Sequence, residues 1–176
     1  MAAMKMSAVL LRTLLDVTAR ISFVFFFCAF TGPALARLRR TSISNWLAQK
    51  YDLFLLLLAL SHSVHLAGIV MLEQAMGWPA FVNQVKVATL IGGGLVYVGI
   101  YVMAWQALKR TISSAPPPER PSRFESVALY AAWAVFAAAF VPRIVKVWPV
   151  YTLLGASAVL ALVVRVAGMR RGPATL

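Results

Sequence analysis

Two histidines, His62 and His65, are the only imidazoles in this 176-residue chain, and both sit in the middle of an apolar run. That run, Asp52 to Leu72 (DLFLLLLALSHSVHLAGIVML), carries no charge after its first residue. A helix of that length rises about 30 Å, the thickness of a bilayer's hydrocarbon core. An ionisable group at such depth is costly, which makes it a candidate functional site. Spaced three residues apart, the two rings project from one helix face, roughly 60° from each other. Ser61 and Gly68 share that face. Imidazole at neutral pH can relay a proton, bind a metal ion or hold a haem iron. A metal ion bound by protein alone wants about four ligands, and no thiolate or carboxylate stands near these two.

Other reactive residues are scarce. Cys28 is the only cysteine, which excludes an intrachain disulfide and a CxxC motif. It lies in an apolar run and reads as a packing residue. The chain holds five acids in all, too few for a carboxylate relay of protons or cations. It has no glycine-rich phosphate loop, no paired-carboxylate motif, no Ser/His/Asp set and no internal repeat.

The elements that position the histidines must be membrane helices. Hydrophobic residues make up 61% of the chain and charged ones 12%, with a mean hydropathy of +0.81. These values place it in the integral-membrane class. The net charge of +12 is spread between apolar runs rather than gathered in a basic domain. That distribution suits topology signals and anionic lipid, and gives no reason to expect nucleic acid.

The expected fold is all-α, a polytopic bundle of about five spans in one membrane domain. Residues 1–20 read as an interfacial amphipathic helix, since Arg12, Asp16 and Arg20 recur at i, i+4 opposite leucines. They also break the continuous apolar core that a signal peptide needs. The spans are expected at 21–38, 52–72, 85–108, 125–141 and 147–166. Thr31, Gly32 and Pro33 should kink the first. Ser42 or Ser44 is expected to cap a short surface helix bearing Trp46 and Tyr51. Gly77, Trp78 and Pro79 read as a turn, near which Glu73 could meet Lys86 or Arg143. In the third span Ala88, Gly92 and Gly99 form a small-residue groove for a neighbouring helix. Residues 109–124 form a proline-rich loop. Arg165 is expected to snorkel from the end of the last span.

Orientation follows from the basic residues between spans. Arg37, Arg39, Arg40, Lys50, Lys109, Arg110, Arg120, Arg123, Arg170 and Arg171 fall on one side. Lys5, Arg12, Arg20, Lys86, Arg143 and Lys146 fall on the other. Ten against six places the first group in the cytoplasm, together with the proline-rich loop and the C-terminus, and the N-terminus outside.

In this order the features resemble the ferric reductase-like transmembrane family, especially its bacterial haem-binding membrane subunits that partner a periplasmic methionine sulfoxide reductase. The resemblance rests on Arg20, Pro33, Arg39-Arg40, the short stretch around Trp46, then His65 followed by Glu73. It covers about two-thirds of the chain, and beyond residue 110 only the spacing of spans persists. It implies the inner membrane of a bacterium, a b-type haem with His65 (or His62) on the iron, and one-electron transfer to a partner. A separate flavoprotein or a quinol would supply the electron, because the chain has no flavin or nicotinamide motif. The Arg37 to Arg40 cluster would then meet a propionate, a quinone headgroup or an acidic partner, or serve only as a positive-inside anchor.

One departure is large. The family holds its haem with histidines on two helices, and this chain has none after His65. Around Glu125 to Trp148, where the family places ligands, stand Glu125, Ser126 and Arg143. Three readings follow. In one, a single histidine binds haem, with the opposite face open or filled by Met103 or by a second protomer. In another, the scaffold has lost its haem and serves as a structural or assembly subunit, with the histidines hydrogen-bonding within the bundle and a protein partner or a homo-oligomer in the membrane. In the third, the two histidines bind a metal ion. An enzyme role extends at most to the electron-transfer subunit of an oxidoreductase.

Overall fold

The computed structural model describes residues 2–85, 87–118, 120–144 and 149–170, and among these every long element is helical. In chain order they are α1 (Ala2–Leu38), α2 (Ser42–Gln49), α3 (Tyr51–Met76), α4 (Trp78–Val85), α5 (Val87–Ile112), α6 (Arg123–Phe140), a short 3-10 turn (Val141–Arg143) and α7 (Val150–Arg170). Five stretches are long and apolar enough to cross a membrane: Leu10–Leu38, Tyr51–Met76, Leu90–Ile112, Arg123–Arg143 and Val150–Arg170. The chain is a multi-pass bundle whose apolar outer faces meet lipid.

The N-terminal segment is not a separate interfacial helix. It continues into the first span as one helix that runs on through Pro33. Arg12, Asp16 and Arg20 meet residues of other elements, with Arg12 and Asp16 still exposed. Arg12 donates to Gln84 Oε1 at 3.1 Å, Asp16 lies 3.9 Å from Arg143 and Arg20 reaches the Tyr151 hydroxyl. Leu11 and Thr18 are buried. Among the element pairs α1 and α3 pack most extensively, and α1 also lies along α7.

Local chemistry sets the short elements. Thr41, not a serine, caps α2: its backbone is extended, its Oγ1 accepts from Ser44 N at 3.1 Å and its own N–H donates to Ser44 Oγ at 2.9 Å. The expected Gly77 turn is a one-residue break. Gly77 has φ +80, and α4 starts at the next residue with Pro79 in its first turn. A side chain would be strained in that left-handed conformation, so glycine ends α3 there. Lys86 and residues 145–148, including Lys146 and Trp148, lie outside the described residues.

Lipid is as apolar as leucine, so close packing and polar contacts hold membrane helices together. Aromatic rings supply much of the packing. Phe26 lies 5.0 Å from Phe136 and 5.1 Å from Phe30, centroid to centroid, while Phe23 meets Phe140 edge-on at 5.2 Å. Small residues let backbones approach. A Cβ at Gly168 would come within 2.8 Å of the Ala34 carbonyl, and one at Gly99 would lie 3.2 Å from Ala128 Cβ. Gly99 is therefore the member of the expected α5 groove that meets a helix of this chain. Gly92 has nothing within 4 Å of such a Cβ.

Candidate functional site

The bundle carries polar groups in several places, and the histidines belong to one nearer Glu73. His62 is 8% exposed. Its ring packs against Tyr97 of α5 at 5.0 Å and Phe136 of α6 at 5.8 Å. Neither His62 Nδ1 nor the buried Tyr97 hydroxyl has a hydrogen-bond partner. His65 is half-buried, and its Nδ1 lies 2.9 Å from Thr18 Oγ1. One turn along, Ser22 Oγ donates to Ser61 Oγ at 2.9 Å. Both contacts cross from α1 to α3. Asp16 completes this side of the layer, within electrostatic reach of His65.

The Thr18 hydroxyl has one hydrogen and three acceptors in reach, the Leu14 carbonyl at 2.8 Å, the Leu15 carbonyl at 3.1 Å and His65 Nδ1. When that hydrogen goes to a carbonyl, the oxygen accepts from His65 Nδ1–H and the free lone pair lies on Nε2. A hydrogen bond that fixes Nδ1–H in this way also orients histidines that bind metals through Nε2.

The surroundings nevertheless do not fit a haem. Both histidines come from α3, with ring centroids 5.9 Å apart and planes tilted by 43°, so they cannot oppose each other across an iron. Tyr97 and Phe136 occupy the face of His62. The space beside Gly68 is taken as well: a Cβ there would meet Leu15 Cδ2 at 3.0 Å. Met103, the other candidate ligand, is fully buried in the core. It lies toward the Arg110 end, below the level where Tyr101 meets Ser63 at 3.0 Å. No group of three or more His, Cys, Asp or Glu residues that could hold a metal ion occurs among the described residues.

A second polar place, near the opposite end of the spans, is ionic. Arg110 Nε donates to both carboxylate oxygens of Asp52 at 3.0 and 3.1 Å, and its Nη2 donates to Asp52 Oδ1 at 2.7 Å and Glu125 Oε1 at 2.8 Å. Glu125 Oε2 accepts from the backbone of Ser122 at 2.8 Å, so the same acid caps α6. One arginine thus ties α3, α5 and α6 together. Arg165 does not snorkel. It is 1% exposed, donates to the Phe30 carbonyl at 3.0 Å and stacks 5.2 Å from that ring's centroid. It shares an inward face of α7 with Ala158, Ala161 and Gly168, which turns it toward α1. Glu125 is within electrostatic reach, so the buried Arg165 and the partly exposed Arg110 face two buried carboxylates.

No protein-family model, curated protein or solved structure matches this chain. Sequence reasoning found the histidines but missed Thr18, Ser22 and Tyr97, their actual neighbours. Assigning residues 1–20 to the membrane surface hid the first of these. The ionic cluster was missed too, although Ser122 and Glu125 spell a capping box and Asp52 opens a span.

Proposed function

We propose that this chain is a haem-less structural or assembly subunit of a membrane complex, built as a five-span bundle in a bacterial inner membrane. The observation that carries this reading is the 2.9 Å contact between Thr18 Oγ1 and His65 Nδ1. It gives the mid-span histidine a role within the bundle, holding α1 to α3 through a neutral hydrogen bond. The packed faces of His62 and Gly68 support the same reading. Gly93 and Gly94, like Gly92, leave open space on α5, which supports close approach by a partner helix. The charge count favours an N-terminus outside and a cytoplasmic C-terminus.

The free Nε2 of His65 favours a second reading, in which that nitrogen ligates haem in an electron-transfer subunit. An absorption spectrum separates the two. Protein purified from haem-supplemented cells and reduced with dithionite should show no Soret band. A band that His65→Ala abolishes would replace the structural reading with the electron-transfer one. Orientation is tested separately by reporter fusions: a fusion after Gly77 should report outside and one after Pro117 cytoplasm. An inside signal at Gly77 would reverse the topology.

A further inference from the structure

Where α6 ends and α7 begins, two guanidiniums close on one phenol. Arg20 Nη2 donates to the Tyr151 hydroxyl oxygen at 3.5 Å, and Arg143 Nη1 donates to the same oxygen at 3.3 Å. Both guanidinium carbons also lie against the Tyr151 ring, 5.2 and 5.3 Å from its centroid. Three separate elements bring these groups together: α1 supplies Arg20, the 3-10 turn Arg143 and α7 the tyrosine.

A neutral phenol cannot balance two like charges held this close. Among the described residues one acid is at hand, Asp16, and its ion pair is with Arg143, at 3.9 Å, with about half of its side chain exposed. Two arginines against one carboxylate leave one positive charge over. The donors are in surplus as well. Arg20 Nε is buried with no acceptor. The Tyr151 oxygen already accepts from two arginines, so its own proton has to be directed elsewhere. Tyr151 is buried and its ring packs on Phe140, which fixes where that proton can point. Fixed guanidinium forks and a hydroxyl donor, converging with net positive charge, are the elements of an oxyanion site.

We propose that Arg20, Arg143 and Tyr151 bind a phosphate group. Arg143 lies where the sixth helix leaves its membrane-spanning stretch and Tyr151 where the seventh enters its own, the depth at which lipid headgroups sit. The phosphate therefore comes either from a phospholipid headgroup or from a free anion. Asp16 limits the site to one net positive charge, matching a phosphodiester or a singly charged phosphate.

The test uses the full chain in a non-ionic detergent, with tryptophan fluorescence reporting the thermal midpoint. Two probes are titrated: inorganic phosphate against chloride at matched ionic strength, and dioctanoyl-phosphatidylglycerol against dioctanoylglycerol, which lacks the phosphate. The wild type should be stabilised by at least one phosphate probe over its control. A shift with both probes identifies a free anion, and a shift with the phospholipid alone identifies a headgroup. In Arg143→Gln and Tyr151→Phe the apparent affinity should fall about tenfold, the loss expected for one charge-assisted hydrogen bond. Tyr151→Phe keeps the ring and both arginines, so it carries the test if Arg143→Gln does not fold. Arg39→Gln, an exposed arginine away from the site, should respond as wild type. Absence of any phosphate-specific shift, or variants at the site responding like wild type, would overturn the proposal.

Discussion

The ionic cluster at Asp52 and the histidine layer lie on the same helix, about three turns apart, and differ in which polar groups are satisfied. At the cluster all four carboxylate oxygens of Asp52 and Glu125 accept hydrogen bonds, and the buried atoms left without partners are donors beside it, Arg165 Nε and the Tyr51 hydroxyl. At the layer His65 and the serines are paired across α1 and α3, while His62 Nδ1 and the Tyr97 hydroxyl are buried without partners. A buried carboxylate is tolerable only when its lone pairs are engaged. A neutral imidazole or phenol can remain partly unsatisfied at a cost of about 1–3 kcal/mol. The cluster therefore behaves as a lock between three helices. The layer holds two helices and keeps unused hydrogen-bonding capacity.

Removing one partner of the lock should give the largest effect. Arg110→Leu strands two carboxylates and should cost about 3–5 kcal/mol, read as earlier unfolding of the purified protein in a denaturing-detergent titration. Replacing all three charges together, with Asp52→Asn, Glu125→Gln and Arg110→Leu, should recover part of the loss, because no carboxylate is then left without its arginine. A triple variant no better than Arg110→Leu would mean that geometry rather than charge holds this end.

A smaller effect is expected where α1 and α7 touch near the Arg165 end of the bundle. Gly168→Val must push the Ala34 backbone away from the added side chain. The cost should be about 1–3 kcal/mol in the same titration. Gly92→Val, which faces open space, should be nearly neutral in the isolated protein. Equal losses at the two positions would mean that α7 does not approach α1 as closely as described.

Much of the fold was legible in the sequence. Span number follows from apolar runs, each of about the length that crosses a bilayer core. The start of the first span was not legible, because Arg12, Asp16 and Arg20 look like a surface stripe until Gln84, Arg143 and Tyr151 are brought to them from far along the chain. Arg165 failed for the same reason. An arginine one residue from the end of the expected span 147–166 reads as a snorkelling residue, and only the inward face it shares with Ala161 and Gly168 shows that it turns to Phe30. His62 and His65 stood out because their cost in a membrane is a property of the residues themselves. What satisfies them was invisible, since Thr18 and Tyr97 are common residues whose role depends on which helices adjoin.

The most direct test of the central assignment, His65 as a hydrogen-bonding partner of α1, is a double-mutant cycle. Thr18→Val and His65→Ala would be made singly and together, and each unfolding free energy measured in the same detergent. The coupling between them should be about 0.6–1.7 kcal/mol, the range for interhelical hydrogen bonds in membranes. Strictly additive losses would contradict the account, because His65 would then be held in place by something other than Thr18.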